Sequence, residues 1–201
     1  IFSTFLNHFK SNDMSVEELE KKANETKSSD PIRRELFLKI FKKIYFQYKK
    51  NLNDSNEIDF IDQINHASRL LDKQKYKCKW KYILVDEFQD ISQDRKRLIL
   101  SLLSQNNSTK LFAVGDDWQA IYRFAGADID IMTNFNRHFG ATSKNALTAT
   151  FRSFQGLIVA SSNFIQKNPN QLKKLVYSKR ERKDKKLIKI DEYNDVKSQD
   201  K

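Results

Sequence analysis

Tyr82-Ile-Leu-Val-Asp-Glu-Phe-Gln-Asp90 decides how the rest of this chain is read. Tyr82 to Val85 form an apolar run short enough for a buried strand, and acids follow without a break. Carboxylates at the carboxyl end of a buried parallel strand project into the crevice where ligands bind in such sheets. Two adjacent acids there suit two tasks. One of Asp86 and Glu87 can hold a magnesium ion, which takes oxygen ligands and keeps much of its water. The other can orient or deprotonate an attacking water. Spacing alone fits equally well a strand ending in a polar turn before a helix, where acids are favoured anyway.

A second run, Leu111-Phe-Ala-Val114, leads into Gly115-Asp-Asp-Trp-Gln-Ala-Ile-Tyr-Arg-Phe124. Between the two lies a helical pattern, Leu98, Ile99, Leu102 and Leu103, behind the capping candidate Ser92. Strand, helix, strand implies an α/β unit with a parallel sheet flanked by helices. Both strands would then deliver acids and Gln119 to one sheet edge. Trp118, Tyr122, Arg123 and Phe124 crowd the Gly-bounded loop that follows. Aromatics interleaved with a cation make a platform on which single-stranded bases stack, at ~1–3 kcal/mol per base. A lone aromatic in a loop more often packs into a core.

Outward from this centre, the pattern is helical on the amino side. Ile1 to Lys10 is apolar at once, as if the chain began inside a larger protein. Ser15 and Glu18 have capping-box spacing. Asp30-Pro31 starts the clearest amphipathic helix, with Leu36, Phe37, Ile40, Phe41, Ile44, Tyr45 and Tyr48 on one face and lysines on the other. Ile58 to Leu71 reads as another helix. On the carboxyl side, the expectations are a helix capped by Asp130 and running to Phe139, then a weak strand at Lys144–Leu147. A helix capped by Ser153 and stopped near Pro169 follows, with one more strand at Leu187–Ile190. The run Lys179–Lys186 reads as a basic connector or tail.

Composition bounds the function classes. With 37 Lys plus Arg against 26 Asp plus Glu, the 201-residue chain carries a formal charge of +11. That favours an anionic partner, nucleic acid first, although a generally basic surface would look the same. One cysteine, Cys78, excludes an internal disulfide framework and a multi-cysteine zinc site. No apolar run is long enough to span a membrane and no signal peptide is evident, so the simplest compartment is the cytoplasm.

Three segments, in order and spacing, resemble motifs of the superfamily 1 DNA helicases of the UvrD/Rep type. Val85-Asp-Glu-Phe-Gln-Asp90 resembles their Walker B box. Val114 to Ala127 resembles the motif joining nucleotide to DNA. Thr150-Phe-Arg-Ser153 resembles the opening of the second motor domain, and Glu57-Ile-Asp-Phe-Ile61 a short segment upstream of Walker B. The resemblance implies a partial RecA-like (P-loop NTPase) fold. Residues 1–56 would be a helical segment of an inserted subdomain, 57–149 part of the first motor domain, and 150–201 the start of the second.

It also implies roles. Asp86, with Glu87 beside it, would hold the Mg²⁺ of Mg-ATP, and Glu87 would position the hydrolytic water. Gln119 would sense the γ-phosphate, Phe151 would stack on the adenine, and Arg152 would serve as an arginine finger, worth ~10³–10⁵ in rate in this reaction class. Trp118, Tyr122, Arg123 and Phe124 would meet single-stranded or partly duplex DNA, with movement 3′ to 5′. Ala125 stands where many relatives carry an Arg. The only glycines are Gly115, Gly126, Gly140 and Gly156, so no phosphate-cradling Gly-x-x-x-x-Gly-Lys-Ser/Thr loop can be assembled. The expectation is an internal fragment of an ATP-dependent helicase, inactive alone and prone to self-association through exposed sheet edges. Two other readings stay open: a non-catalytic single-strand-binding module, and a metal-dependent nuclease using Asp86, Asp90, Asp116 and Asp117.

Overall fold

The computed structural model describes residues 1–27, 29–169 and 171–180. The strand expected at Leu187–Ile190 and most of the basic run at 179–186 lie outside them. The chain divides into two compact units, one covering Ile1–Ser143 and the other beginning at Lys144.

The first unit opens with helices. α1 (Phe2–Ser11) begins at Ile1 with no side-chain cap, while α2 (Val16–Glu25) and α3 (Pro31–Asp54) start where the sequence supplies one. Ser15 and Glu18 form the reciprocal capping box on α2. Before α3, the Asp30 side chain accepts from Arg33 N at 2.9 Å, with Pro31 at the first helical position. α1 and α3 close on an aromatic core. Phe9 and Phe41 are buried, and Phe5 meets both Phe37 and Phe41 edge to face with centroids 5.0 and 4.7 Å apart, the geometry aromatic quadrupoles prefer. The apolar opening of the chain is thus half of a core. α3 continues past Tyr48 to Asp54.

α4 (Phe60–Asp72) follows, capped by Asp59, whose Oδ1 accepts from Asp62 N. Asp59 does more than cap. Its other oxygen takes the Lys10 ammonium and, at 2.5 Å, the Tyr48 hydroxyl. Lys10 also reaches Asp62 at 2.8 Å, and its own carbonyl accepts from the Asn65 amide at 2.9 Å. Next to it the Ser11 hydroxyl donates to buried Asp94, and Arg97 donates to the Ser11 carbonyl at 2.8 Å. This polar knot pins the end of α1 to α3, to α4 and to the segment that carries Asp94 and Arg97. Lys10 is 7% exposed; a cation so buried persists only when paired and hydrogen-bonded.

The α/β part then forms. β1 (Tyr82–Val85) and β2 (Lys110–Ala113) pair in parallel, Tyr82 opposite Lys110 through Val85 opposite Ala113, with α5 (Gln93–Ser104) as the crossover. Phe88, Ile91, Ile99 and Ile131 form the core, joined by Val85, Leu111 and Ala113 from the inner sheet face. The outer face corrects an expectation. Tyr82 is 68% and Leu84 73% exposed, and Phe112 and Val114 are exposed too. Strands of parallel sheets read as apolar throughout because both faces are normally covered; among the described residues only one face is.

The helix expected through Phe139 is two short ones, α6 (Ile129–Thr133) and α7 (Phe135–Phe139), with Asp128 rather than Asp130 as the cap. Asn134 breaks it: its side chain donates to Asp130 Oδ1 at 2.6 Å, the local competition with backbone that disfavours Asn inside helices.

In the second unit, β3 (Ala149–Thr150) pairs in parallel with β4 (Tyr177–Ser178), and α8 (Gln155–Ile165) lies between them. No strand forms at Lys144–Leu147, where Leu147 is fully in solvent and nothing apolar is covered. Phe154, not Ser153, occupies the N-cap of α8; the Ser153 carbonyl instead accepts from the Ser178 hydroxyl at 2.7 Å.

Candidate active site at the sheet edge

The parallel pairing of β1 and β2 sends both chain exits to the same edge. After Val85 the backbone turns sharply. Glu87 sits in the left-handed region, φ 48° and ψ 45°, uncommon for a residue with a Cβ and a conformation that surrounding structure must hold in place. Asp86 Oδ1 accepts from Glu87 N at 2.9 Å, which helps hold the turn. The turn then tightens into a single 3₁₀ turn, Phe88–Asp90, whose Phe88 ring plugs into the core. Both Asp86 and Glu87 face solvent, while Gln89 behind them is 3% exposed.

The exit of β2 is stitched to this turn. Val114 N donates to Val85 O at 2.9 Å, extending the ladder, and Phe88 N donates back to Val114 O at 2.8 Å. Side chains continue the seam. Gln89 Nε2 donates to Glu87 Oε2 at 2.7 Å, and Gln89 Oε1 accepts from Asp116 N at 2.9 Å. Asp116 Oδ2 in turn accepts from Gln119 Nε2 at 2.8 Å. Glu87 and Gln119, one from each strand exit, are therefore joined through Gln89 and Asp116 by an unbroken line of hydrogen bonds. Gly115 lets the two exits approach this closely. A Cβ there would lie 2.8 Å from Gln89 Oε1 and 3.0 Å from the Gln89 and Phe88 nitrogens.

The loop beyond is anchored at its far end as well. Ala127 bridges Ser92, Asp128 N donates to Ile91 O at 2.8 Å, and Gln93 Nε2 donates to Asp128 Oδ2 at 2.6 Å. Gly126, at φ +100°, supplies the reversal that returns the chain. Between these anchors Asp117 is buried and Trp118 half-buried, while Ile121, Tyr122, Arg123 and Phe124 stand in solvent. The Tyr122 and Phe124 rings are 5.9 Å apart, inclined at 49°. Of the aromatics expected to form a platform, these two are open; Trp118 is half-buried.

Phe151 and Arg152 belong to the second unit. Both are exposed, and Arg152 N donates to Thr150 Oγ1 at 3.3 Å in the short connection before α8. Sequence reasoning missed Gln89 as a bridge and Gly115 as a spacer. Only the position of Gln89, two residues past Glu87, and a glycine at a strand exit hinted at either. It also missed the Lys10–Asp59–Asp62 knot, since a Lys at the end of an apolar helix gives no sign of burial.

Chemically, the edge offers two exposed carboxylates of one turn, oxygen donors with open coordination space. That fits a hydrated divalent ion held by one or two carboxylates together with a phosphate group. Among the described residues no group of three or more His, Cys, Asp or Glu side chains is placed to hold a metal, which leaves the two-metal nuclease arrangement without its cluster. No helix among the described residues is long and apolar enough to cross a membrane.

Comparison with known proteins agrees with the motif reading. The model of the UvrD/REP helicase N-terminal domain matches residues 2–140. DNA helicase IV of Escherichia coli is 44% identical over 144 residues, covering 70% of this chain and 21% of the relative. A probable DNA helicase II homologue of Rickettsia conorii is 33% identical over 150 residues, covering 71% and 22%. ATP-dependent DNA helicase UvrD1 of Mycobacterium bovis is 28% identical over 145 residues, covering 67% and 19%. The chain spans about a fifth of the length of these curated relatives.

Proposed function

This chain belongs to the UvrD/REP helicase family, and from that premise we propose that it is part of the motor of an ATP-dependent DNA helicase or translocase. Residues 57–149 are part of a first RecA-like domain, 1–56 a helical segment of an inserted subdomain, and 150–201 the start of a second motor domain. The observation that carries the reading is the meeting of two strand exits at one edge: one brings Asp86 and Glu87, the other Gln119 and the exposed Tyr122–Phe124 pair.

Asp86 and Glu87 would hold the metal of Mg-ATP, which when bound neutralises phosphate charge and aligns the γ-phosphoryl group for attack. Glu87 orients the water and takes its proton. Gln119 reports the γ-phosphate to the loop that bears Tyr122, Arg123 and Phe124, and these, with Trp118, grip single-stranded DNA or its junction with duplex. Phe151 covers the adenine and Arg152 completes the charge neutralisation from the second domain. Movement runs 3′ to 5′, in the cytoplasm.

The test uses the full-length protein that contains this chain. ATP hydrolysis should rise on adding single-stranded DNA, and Glu87→Gln should abolish that hydrolysis while DNA binding survives. A 3′-tailed partial duplex should be unwound and a 5′-tailed one left intact. The 201 residues alone, with no Gly-x-x-x-x-Gly-Lys-Ser/Thr loop, should not hydrolyse ATP; DNA-stimulated phosphate release by this chain would overturn that. The +11 charge and the exposed ring pair also suit a single-strand-binding module without chemistry. That reading would prevail if the full-length protein bound oligonucleotides and Glu87→Gln changed nothing else.

A further inference from the structure

We propose that Gln89 is a positioning residue that ties the nucleotide side of this edge to its DNA side, a role resting on the helicase reading above. Its side chain is buried, so both ends of the amide need partners. They are spent on two different machines. The nitrogen holds the carboxylate of Glu87 at 2.7 Å, and the oxygen holds the backbone of Asp116 at 2.9 Å. Asp116 then holds Gln119, three residues before Tyr122.

A primary amide donates from its nitrogen and accepts at its oxygen, so one side chain can meet a carboxylate and an N–H on two separate atoms. Turning over would set its oxygen against Glu87 and its NH₂ against the Asp116 N–H. One arrangement is therefore favoured, and a shift of Glu87 must pull on Asp116 or break a hydrogen bond to a buried Gln. Gly115 keeps the span short enough for a single Gln to bridge it.

Gln89→Glu separates the two bonds. The carboxylate still accepts from Asp116 N, so the loop keeps its anchor, but it can no longer donate to Glu87. The measurement is equilibrium binding of a fluorescent nonhydrolysable ATP analogue to the full-length protein, with and without oligo-dT, alongside steady-state hydrolysis. Linked sites change each other's affinity by the same factor. The mutual effect of DNA and nucleotide should fall at least ~5-fold in Gln89→Glu, the size of a whole coupling at the weak end of its usual span. DNA-stimulated kcat should drop ~10-fold or more while the KM for ATP moves less than ~3-fold, as for a group acting through the base. Adding Gln119→Ala should cause little further loss of coupling, because both act on one line. Gln89→Leu, which removes both bonds, should lose coupling and lower the melting temperature as well.

Coupling intact in Gln89→Glu, or losses that multiply with those of Gln119→Ala, would overturn the relay. The helicase reading fails separately: if Glu87→Gln hydrolyses ATP like the unaltered protein, that reading falls and the relay falls with it. If Glu87→Gln is inactive and Gln89→Glu is unaltered, only the relay is wrong.

Discussion

Two clusters of acidic side chains sit within the first unit, and they are built in opposite ways. Around Lys10, the carboxylates of Asp59 and Asp62 turn inward onto a buried ammonium, with Tyr48 adding a further donor. At the sheet edge, Asp86 and Glu87 point into solvent, steadied by a backbone N–H and an amide. The first cluster satisfies its charges internally and locks three helices together. The second is fixed in position by one hydrogen bond to each carboxylate and, among the described residues, meets no cation. The comparison teaches that number and proximity of acids say little; the direction in which their charge is answered separates a brace from a site.

Four experiments sharpen or break this contrast, the largest effect first. Glu87→Gln should lower ATP hydrolysis by the full-length protein ~10²–10⁴-fold, the range for loss of a positioned base, with the melting temperature little changed. A large loss of stability instead would make Glu87 another brace. Lys10→Met should do the reverse. It leaves two half-buried carboxylates without their cation, and denaturant unfolding should show a loss of about 2–3 kcal/mol, somewhat below the usual cost of breaking a fully buried pair. Unchanged stability would remove the knot from the account.

Next, Tyr122→Ala and Phe124→Ala should each weaken oligo-dT binding by ~1–3 kcal/mol in fluorescence anisotropy, leaving unfolding unaffected. Equal affinity would place the grip elsewhere. The smallest effect is a pH dependence. Burial alone would raise the carboxyl of Asp59, but hydrogen bonds from Lys10 and Tyr48 outweigh it and hold it below its ordinary range. A carboxyl depressed on folding adds stability above its unfolded value, ~3.9, and that share is lost as pH falls through the folded value. Acid unfolding curves of Asp59→Asn and the unaltered protein should therefore converge below about pH 4; parallel curves would show that Asp59 carries no such linkage.

The sequence made the site more legible than its supports. The acid-tipped strands, the parallel crossover and the open ring pair all follow from apolar runs, caps and turn residues, which are local signals. The brace around Lys10 joins residues about 50 positions apart, and nothing local marks a lysine whose partners lie that far along the chain. The exposed outer sheet face departs from the sequence expectation for a related reason. Tyr82, Leu84 and Phe112 are apolar enough to be covered, but residue type cannot say which neighbour does the covering. That face and the outer edges of β1 and β2, which no strand among the described residues pairs, lead us to propose that the isolated chain self-associates; concentration-dependent light scattering would show it.

Gly115 carries a consequence of its own. A methyl group at that point would wedge apart two turns that meet through nitrogen atoms and an amide oxygen. A change as mild as alanine should thus reach both the water-activating acid and the strand-gripping rings at once, without touching either. The tolerance of the whole junction is set by the width of one hydrogen atom at residue 115.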